Sequence, residues 1–265
     1  MNVLFIMNED PFFKPVLLEH IIKSRPNDKF AIAVHPKTAK KNSKKKLSKI
    51  YNSLYFFGIK GIIILGTKFI LFKVFEQLGI KNPFDGRDVY SLKKGVAKKF
   101  FLPVFLTKNV NDPEFLERLR REFSPDVIIS SSSQIWGKEL LNLPNICCIN
   151  RHSALLPKYR GLEPVFWAMI NEENEIGVTI HKMCYKIDGG EIIEQQSIPI
   201  NNDDTIFSLY QKAFCIAPYL IVKALETLEA GRINFPPIDT KSGSYFSSPS
   251  IKDIIRFRKL GKHFI

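Results

Sequence analysis

The sequence predicts an α/β fold: a mostly parallel sheet with helices on both faces, followed by a short C-terminal tail. Three observations predict it. Short apolar segments alternate with amphipathic segments of helical spacing, the pattern of strand–helix units. Hydrophobic residues make up 45% of the 265, enough for a sizeable core in one large domain with an appendage. No internal repeat competes with that pattern. The division expected is a main domain over 1–232, interrupted at about 37–95, and an extension over 233–265.

The elements follow in order. The first residues, MNVLFIMNEDPFF, have no basic start, and acidic residues follow the apolar run at once. They do not read as a secretory leader, and Val3–Met7 reads as a short buried strand. Phe13–Lys23 has the apolar spacing of a helix. Phe30–Val34 is the second strand, and Val104–Leu106 a short one behind Pro103. Asp112–Phe123 reads as a helix, capped by Asn111 or Asp112 and broken at Ser124-Pro125. Asp126–Ser131 and Ile146–Asn150 are buried strands, and Ile176–Met183 and Glu191–Ile200 two more. Asp204–Ala230 is a long amphipathic helix, capped by Asp203 or Asp204 and closed by Gly231. In the tail Pro236-Pro237 marks a break, and Ser244–Ser247 reads as a short strand. Ser250-x-x-Asp253 then opens a helix over Ile251–Lys259, which Gly261 stops.

Charge and cysteines bound the setting. The net charge is +13, and residues 1–100 carry all of it: 20 Lys and Arg against 7 Asp and Glu. The remainder carries 19 against 19. Such a region attracts phosphate, nucleic acid or an anionic membrane surface, or is simply a solvated lysine-rich face. Cys147, Cys148, Cys184 and Cys215 form no CxxC pair, and no His stands at ligand spacing from them. They read as reduced thiols of a cytoplasmic protein, with no metal expected. Residues 37–95 begin with KTAKKNSKKK and continue into a long apolar segment. Lys60, Lys68 and Lys73 make that segment too charged to span a bilayer. It is either a basic amphipathic segment lying on a membrane or a pair of helices packed on the domain or on another subunit. Packing is the commoner use of such a stripe.

The residues that carry chemistry lie in two stretches, Cys147–Trp167 and Gly177–Ile192. Asn150 and His152 close a buried apolar strand. Ligands of open parallel sheets bind beyond the carboxyl ends of strands. Two apart, the two residues point to one side if the strand continues through them. An amide and an imidazole there make an oxyanion donor and an acid/base group. Asp188 lies in a Gly-rich turn between strands, where a carboxylate accepts a proton, directly or through water, or holds the His charged. Asp-Gly-Gly is also an ordinary hairpin turn.

In these stretches the chain resembles the formyltetrahydrofolate-dependent formyltransferase family, which includes glycinamide ribonucleotide, methionyl-tRNA and nucleotide-sugar enzymes. The first hallmark is Asn150-Arg151-His152, then Leu155-Leu156-Pro157-Lys158-Tyr159-Arg160-Gly161 and Pro164. The second is Gly177-Val178-Thr179-Ile180-His181, then Asp188-Gly189-Gly190. The likeness is clear from about Glu114 to Ala230. One departure is Ala154, where the family usually has Ser; Ser153 stands one residue earlier, and loop details are affected.

The resemblance implies a Rossmann-like fold, with 10-formyltetrahydrofolate as the formyl donor and a primary amine as the acceptor. It implies that Asn150 donates to the tetrahedral oxyanion, and that His152 stabilises it and moves a proton toward the departing folate nitrogen. Asp188 would orient a water or accept the amine proton, with His181 in support. The folate pocket would run through Ser130–Ser133 into Gln134, Ile135, Trp136 and Gly137, with Tyr185 and Ile187 in the loop that closes the other side. Recognition there would use backbone groups, and Trp136 reads equally as packing. Lys158, Tyr159 and Arg160 are candidates for contacting an anionic acceptor. The stretch after Gly231 is too short for the β-barrel domain of the usual methionyl-tRNA enzyme, so the acceptor expected is an amino-sugar nucleotide. Alternatives are a methionyl-tRNA formyltransferase-like enzyme, for which the basic region would hold nucleic acid, a formyltetrahydrofolate hydrolase, and a non-catalytic basic binding module. Homo-oligomer formation and peripheral membrane contact through 37–95 stay open.

Overall fold

The strands alternate between two sides, and each side meets its own helices. The computed structural model describes residues 1–10, 12–35, 44–80, 91–132 and 134–265. Part of the lysine-rich run (37–43), residues 81–90 of the interrupting segment, and Ser133 therefore lie outside the described residues. Strand β1 (Asn2–Asn8) is followed by α1 (Lys14–Ser24), β2 (Lys29–His35) and α2 (Lys44–Leu78). Next come a π-helical turn at Leu92–Val96, α3 (Ala97–Lys99), β3 (Val104–Leu106), α4 (Pro113–Glu122), β4 (Val127–Ser131) and α5 (Lys138–Leu141). The chemistry-bearing half holds β5 (Cys147–His152), β6 (Arg160–Gly161), α6 (Pro164–Ile170), β7 (Glu175–Lys182), β8 (Ile192–Pro199) and α7 (Ile206–Glu229). The tail adds β9 (Tyr245–Phe246) and α8 (Ile251–Lys259).

The main sheet has the order β3-β2-β1-β4-β5-β7-β8. Its first five strands are parallel, and β7 and β8 join antiparallel. Alternation assigns each side chain to a face. Val3, Phe5 and Met7 join a core with Leu17, Leu18 and Ile21 of α1 and Leu209, Ala213 and Leu220 of α7. Leu4 and Ile6 join the opposite core with Leu116 and Leu119 of α4 and Leu140 of α5. Both faces are thus covered, as near-continuous apolar strands require. The strand order reverses between β1 and β4. A crevice opens at such a reversal, beyond the carboxyl ends of the strands.

Several local expectations change. The long helix is capped by Thr205, not by Asp203 or Asp204. Its hydroxyl accepts from the Ser208 N–H at 3.1 Å, and the Ser208 hydroxyl accepts from the Thr205 N–H at 2.9 Å. Asp204 instead accepts from the Ser208 hydroxyl at 2.7 Å and from the Asn201 N–H at 2.8 Å. Asp112 holds the cap position of α4 without a side-chain bond, and Pro113 opens the helix at the position where a missing N–H costs nothing. Asn111 turns to the loop after β4, where it binds the Ile135 carbonyl and the Gly137 N–H. In the tail, Ser250 and Asp253 form the expected capping box.

The apolar segment of 37–95 is a helical pair. Gly58, at φ 69° and ψ 167°, breaks α2 into two helices, a conformation glycine adopts without a Cβ penalty. Phe57 meets Phe264 edge-on at 6.0 Å, so the second helix starts against the tail. Among the described residues no helix is long and apolar enough to cross a membrane.

Candidate active site

Strand β5 runs through Asn150 and His152, so both lie on the Cys148 side of the sheet, toward α5. Arg151 between them points the other way, with its guanidinium 4.0 Å over the Phe214 ring. Antiparallel pairing sets Asn150 opposite His181 and His152 opposite Thr179. The chain leaves β7 beside Cys148, where the Met183 N–H bonds the Cys148 carbonyl. It then returns so that Asp188, at φ 47°, faces Asn150 and His152. Residues 38 positions apart in sequence are thereby brought into contact.

Asp188 is the hub. Its Oδ1 lies 3.3 Å from the Asn150 Nδ2 and 3.5 Å from the His181 Nε2. Its Oδ2 accepts the Gly161 N–H at 2.8 Å and lies 3.6 Å from the His152 Nδ1. A carboxylate only accepts, so the Asn150 amide must turn its nitrogen toward it. The same nitrogen stands 3.3 Å from the His181 Nε2. His181 Nδ1 faces the Lys182 carbonyl at 2.8 Å and so carries a hydrogen, and in the neutral ring Nε2 then accepts. Both Asn150 contacts are long and therefore weak. They hold the amide nitrogen toward Asp188 and His181.

His152 is fixed in the same way. Its Nε2 lies 2.8 Å from the Tyr159 carbonyl, which can only accept. In the neutral ring Nε2 then carries the hydrogen, and Nδ1 presents a lone pair toward Asp188. Burial is the largest influence on this imidazole and holds its pKa below 6.5, against the opposing pull of the Asp188 charge. A pKa held below 6.5 favours the neutral ring at neutral pH, with Asp188 pulling the other way. Burial alone would raise Asp188, but the His181 and His152 imidazoles in their protonated forms and the Gly161 N–H hold it down at about 2. An ionised carboxylate beside a neutral imidazole is an acceptor pair ready to take a proton.

The loop from Ser153 to Gly161 supplies the two backbone groups just named, and the tail holds that loop. β9 pairs with β6, the Tyr159 N–H bonds the Ser244 hydroxyl at 2.8 Å, and the Arg160 N–H bonds the Ser244 carbonyl. Phe246 stacks on Tyr159 at 5.5 Å and on Trp167 at 4.6 Å. Gly161, at φ 94°, sits so close to the Phe246 carbonyl that a Cβ would collide with it. Thr179 braces the start of the loop, donating to the Ala154 carbonyl at 2.6 Å. Sequence reading left Gly161, Thr179, Ser244 and Phe246 without roles, although the first two stand inside the quoted motifs.

The remaining candidates divide. Lys158 is exposed and pairs with Glu173 at 3.4 Å. Tyr159 is buried and gives its hydroxyl to Glu173 at 2.8 Å, so its side chain is not turned to an acceptor. Arg160 donates to the Thr240 carbonyl in the tail. The Gln134 side chain is held by the Val110 N–H, the Lys108 carbonyl and His35, tying its loop to the ends of β2 and β3. The Trp136 ring packs in the α4–α5 core. Ile135, Tyr185 and Ile187 are exposed, and Gly137 is held by Asn111. Of the loop after β4, backbone and the Ile135 side chain are what a ligand can meet. Burial raises the Cys148 thiol well above its ordinary value and Cys147 to about 11, so neither is a ready nucleophile.

A family model described as "Formyl transferase" matches residues 75–225. The chain is 34% identical over 205 residues to a bifunctional polymyxin resistance protein ArnA of Wigglesworthia glossinidia brevipalpis, covering 77% of this chain and 30% of that protein. It is 36% identical over 163 residues to a methionyl-tRNA formyltransferase of Kosmotoga olearia, covering 61% of this chain and 52% of that one. It thus spans about a third to a half of the length of these curated relatives. The fold is also that of an N-formyltransferase from Helicobacter canadensis, solved with folinic acid and dTDP-3-aminofucose. The superposition has a TM-score of 0.58 at 21% identity and covers 97% of this chain and 80% of that one.

Proposed function

The chain belongs to the formyl transferase family, and from that premise we propose that it transfers a formyl group from 10-formyltetrahydrofolate to the primary amine of an amino-sugar nucleotide. The observation that carries the reading is the convergence of Asn150, His152, His181 and the Gly161 N–H on the Asp188 carboxylate. The donor set suits a carbonyl oxygen that gains charge: Asn150 Nδ2 is held by two weak contacts and turns to it. As the amine nitrogen bonds the formyl carbon, it must lose a proton, and the folate N10 must gain one as its bond to carbon breaks. His152 Nδ1, neutral and unprotonated at rest, takes the amine proton directly or through water and returns it to N10. Asp188 stabilises the imidazolium that forms in between, and His181 keeps Asn150 in register. Tyr159 and Gly161 act through their backbones, one orienting the imidazole and the other the carboxylate.

The acceptor class rests on fold likeness that runs the length of the chain, tail included, to an enzyme solved with an amino-sugar nucleotide. A second reading, transfer to methionyl-tRNA, is favoured by the 36% identity to such an enzyme and by the basic first hundred residues. The test is product mass. Protein and 10-formyltetrahydrofolate are incubated with each of a panel of amino-sugar nucleotides, and separately with charged initiator tRNA. The proposal expects one sugar nucleotide to gain the mass of a CO unit. A formylated tRNA with every sugar unchanged would replace the first reading by the second, and formate without any acceptor would make the protein a hydrolase.

A further inference from the structure

One side of α2 is bare. Beyond the kink at Gly58, Gly61 is buried and lies near Ile265 in the tail. The opposite side presents Ile59 at 71% exposure, Ile63 at 62%, Ile70 at 63% and Leu78 at 65%, with Phe69 and Val74 alongside. Ile59, Ile63, Ile70 and Val74 stand at i, i+4, i+11 and i+15, so they form one stripe along the helix. That stripe is about 22 Å long at the helical rise. A contiguous apolar strip of this extent on a protein exterior marks an interaction surface.

Its charge is one-sided. Lys60 is exposed beside the stripe, Lys68 reaches back over the Phe207 ring at 4.6 Å, Lys73 pairs with Glu76 at 2.8 Å, and Glu76 is the one acidic residue from 44 to 80. Glu76 is turned inward, its side chain 14% exposed, and it binds the Ser91 N–H and Lys73. In sequence, Lys40, Lys41, Lys44, Lys45, Lys46 and Lys49 lead into this segment. We propose that this face docks on an anionic lipid bilayer. The helix lies in the interfacial plane, with the isoleucine stripe at the acyl boundary and the lysines among headgroup phosphates. The lysines stop the helix from crossing the bilayer. They also argue against a second copy as the occupant. A symmetric pair through this stripe would bring together two segments that each carry seven lysines against one glutamate from 44 to 80, a net +6 on either side.

The test is co-sedimentation of the whole protein with vesicles. One set is phosphatidylcholine mixed with phosphatidylglycerol, and the other phosphatidylcholine alone. The protein is expected to pellet with the anionic set, less so as salt rises. The exposed pair Ile63→Glu/Ile70→Glu should weaken that partition by about tenfold or more, with unchanged circular dichroism. Lys60→Gln/Lys73→Gln should lose the salt-sensitive part. Three outcomes would overturn the proposal. The protein stays in the supernatant with both sets, or the glutamate variant pellets like the parent. Alternatively, sedimentation velocity shows a dimer that the glutamate variant abolishes, which gives the face to a second copy. None of these outcomes touches the catalytic reading, because α2 contributes no group to the Asp188 cluster.

Discussion

At the scale of single residues, the site is a problem of which nitrogen carries a proton. Two backbone carbonyls, of Tyr159 and Lys182, each fix one imidazole in a tautomer. The outcome is an Asn150 amide aimed at Asp188 and a His152 Nδ1 able to accept. Asn150→Ala removes the oxyanion donor and is expected to lower kcat about 100- to 1000-fold, with folate affinity nearly unchanged in a binding titration. His152→Ala should lower kcat by about 100- to 10,000-fold. Because burial keeps the His152 pKa down, the neutral base persists as pH falls below 7. The acid limb of kcat/KM should therefore lie below pH 6.5, and a limb above that value would contradict a buried, neutral ring. Asp188 works in the same direction on stability. Its carboxyl is held at about 2 against an ordinary 3.8, so it contributes on the order of 2 kcal/mol above pH 3.8, lost as pH falls toward 2. Acid unfolding of Asp188→Asn should lack that component. The Asn150–His152 pair was legible in sequence because a strand sends alternate residues to one face. The tautomers were not, since they depend on a carbonyl that a distant turn delivers.

At the scale of elements, the tail holds the catalytic loop. β9 and Phe246 clamp the Tyr159–Gly161 stretch, whose two backbone groups orient His152 and Asp188. Phe246→Ala should cost roughly 1–3 kcal/mol of stability and lower kcat about tenfold while the KM for folate stays close to that of the parent. Phe246→Tyr, which keeps the stacking, should restore kcat. A purely structural tail would show the stability loss without the kcat effect. Sequence periodicity located the helices α1, α4 and α7, because each has one apolar and one polar face. It missed α6, whose residues Pro164–Ile170 carry no charged side and so show no period. It also misplaced the cap of α7, since three adjacent residues, Asp203, Asp204 and Thr205, all have capping chemistry and only the backbone decides among them.

At the scale of the whole molecule, one sheet carries the two proposed sites on different sides. The parallel strands and their antiparallel extension bring the two motif stretches together on the α5 face of β5. The basic interruption builds an exposed helix away from that cluster. The sheet and its covering helices were legible because buried strands are short, apolar and regularly spaced. The interruption was legible only as a choice, since a stripe that packs and a stripe that waits for a partner have the same spacing. The central claim is that the Asp188 cluster moves a formyl group from folate to an amine. The most direct measurement is the absorbance change as 10-formyltetrahydrofolate becomes tetrahydrofolate, followed with and without an amino-sugar nucleotide, for the parent and for Asp188→Asn. Acceptor-dependent release by the parent, reduced about 100-fold or more in the variant, is the predicted result. Release that proceeds equally in both proteins would place the chemistry elsewhere in the molecule and contradict the claim.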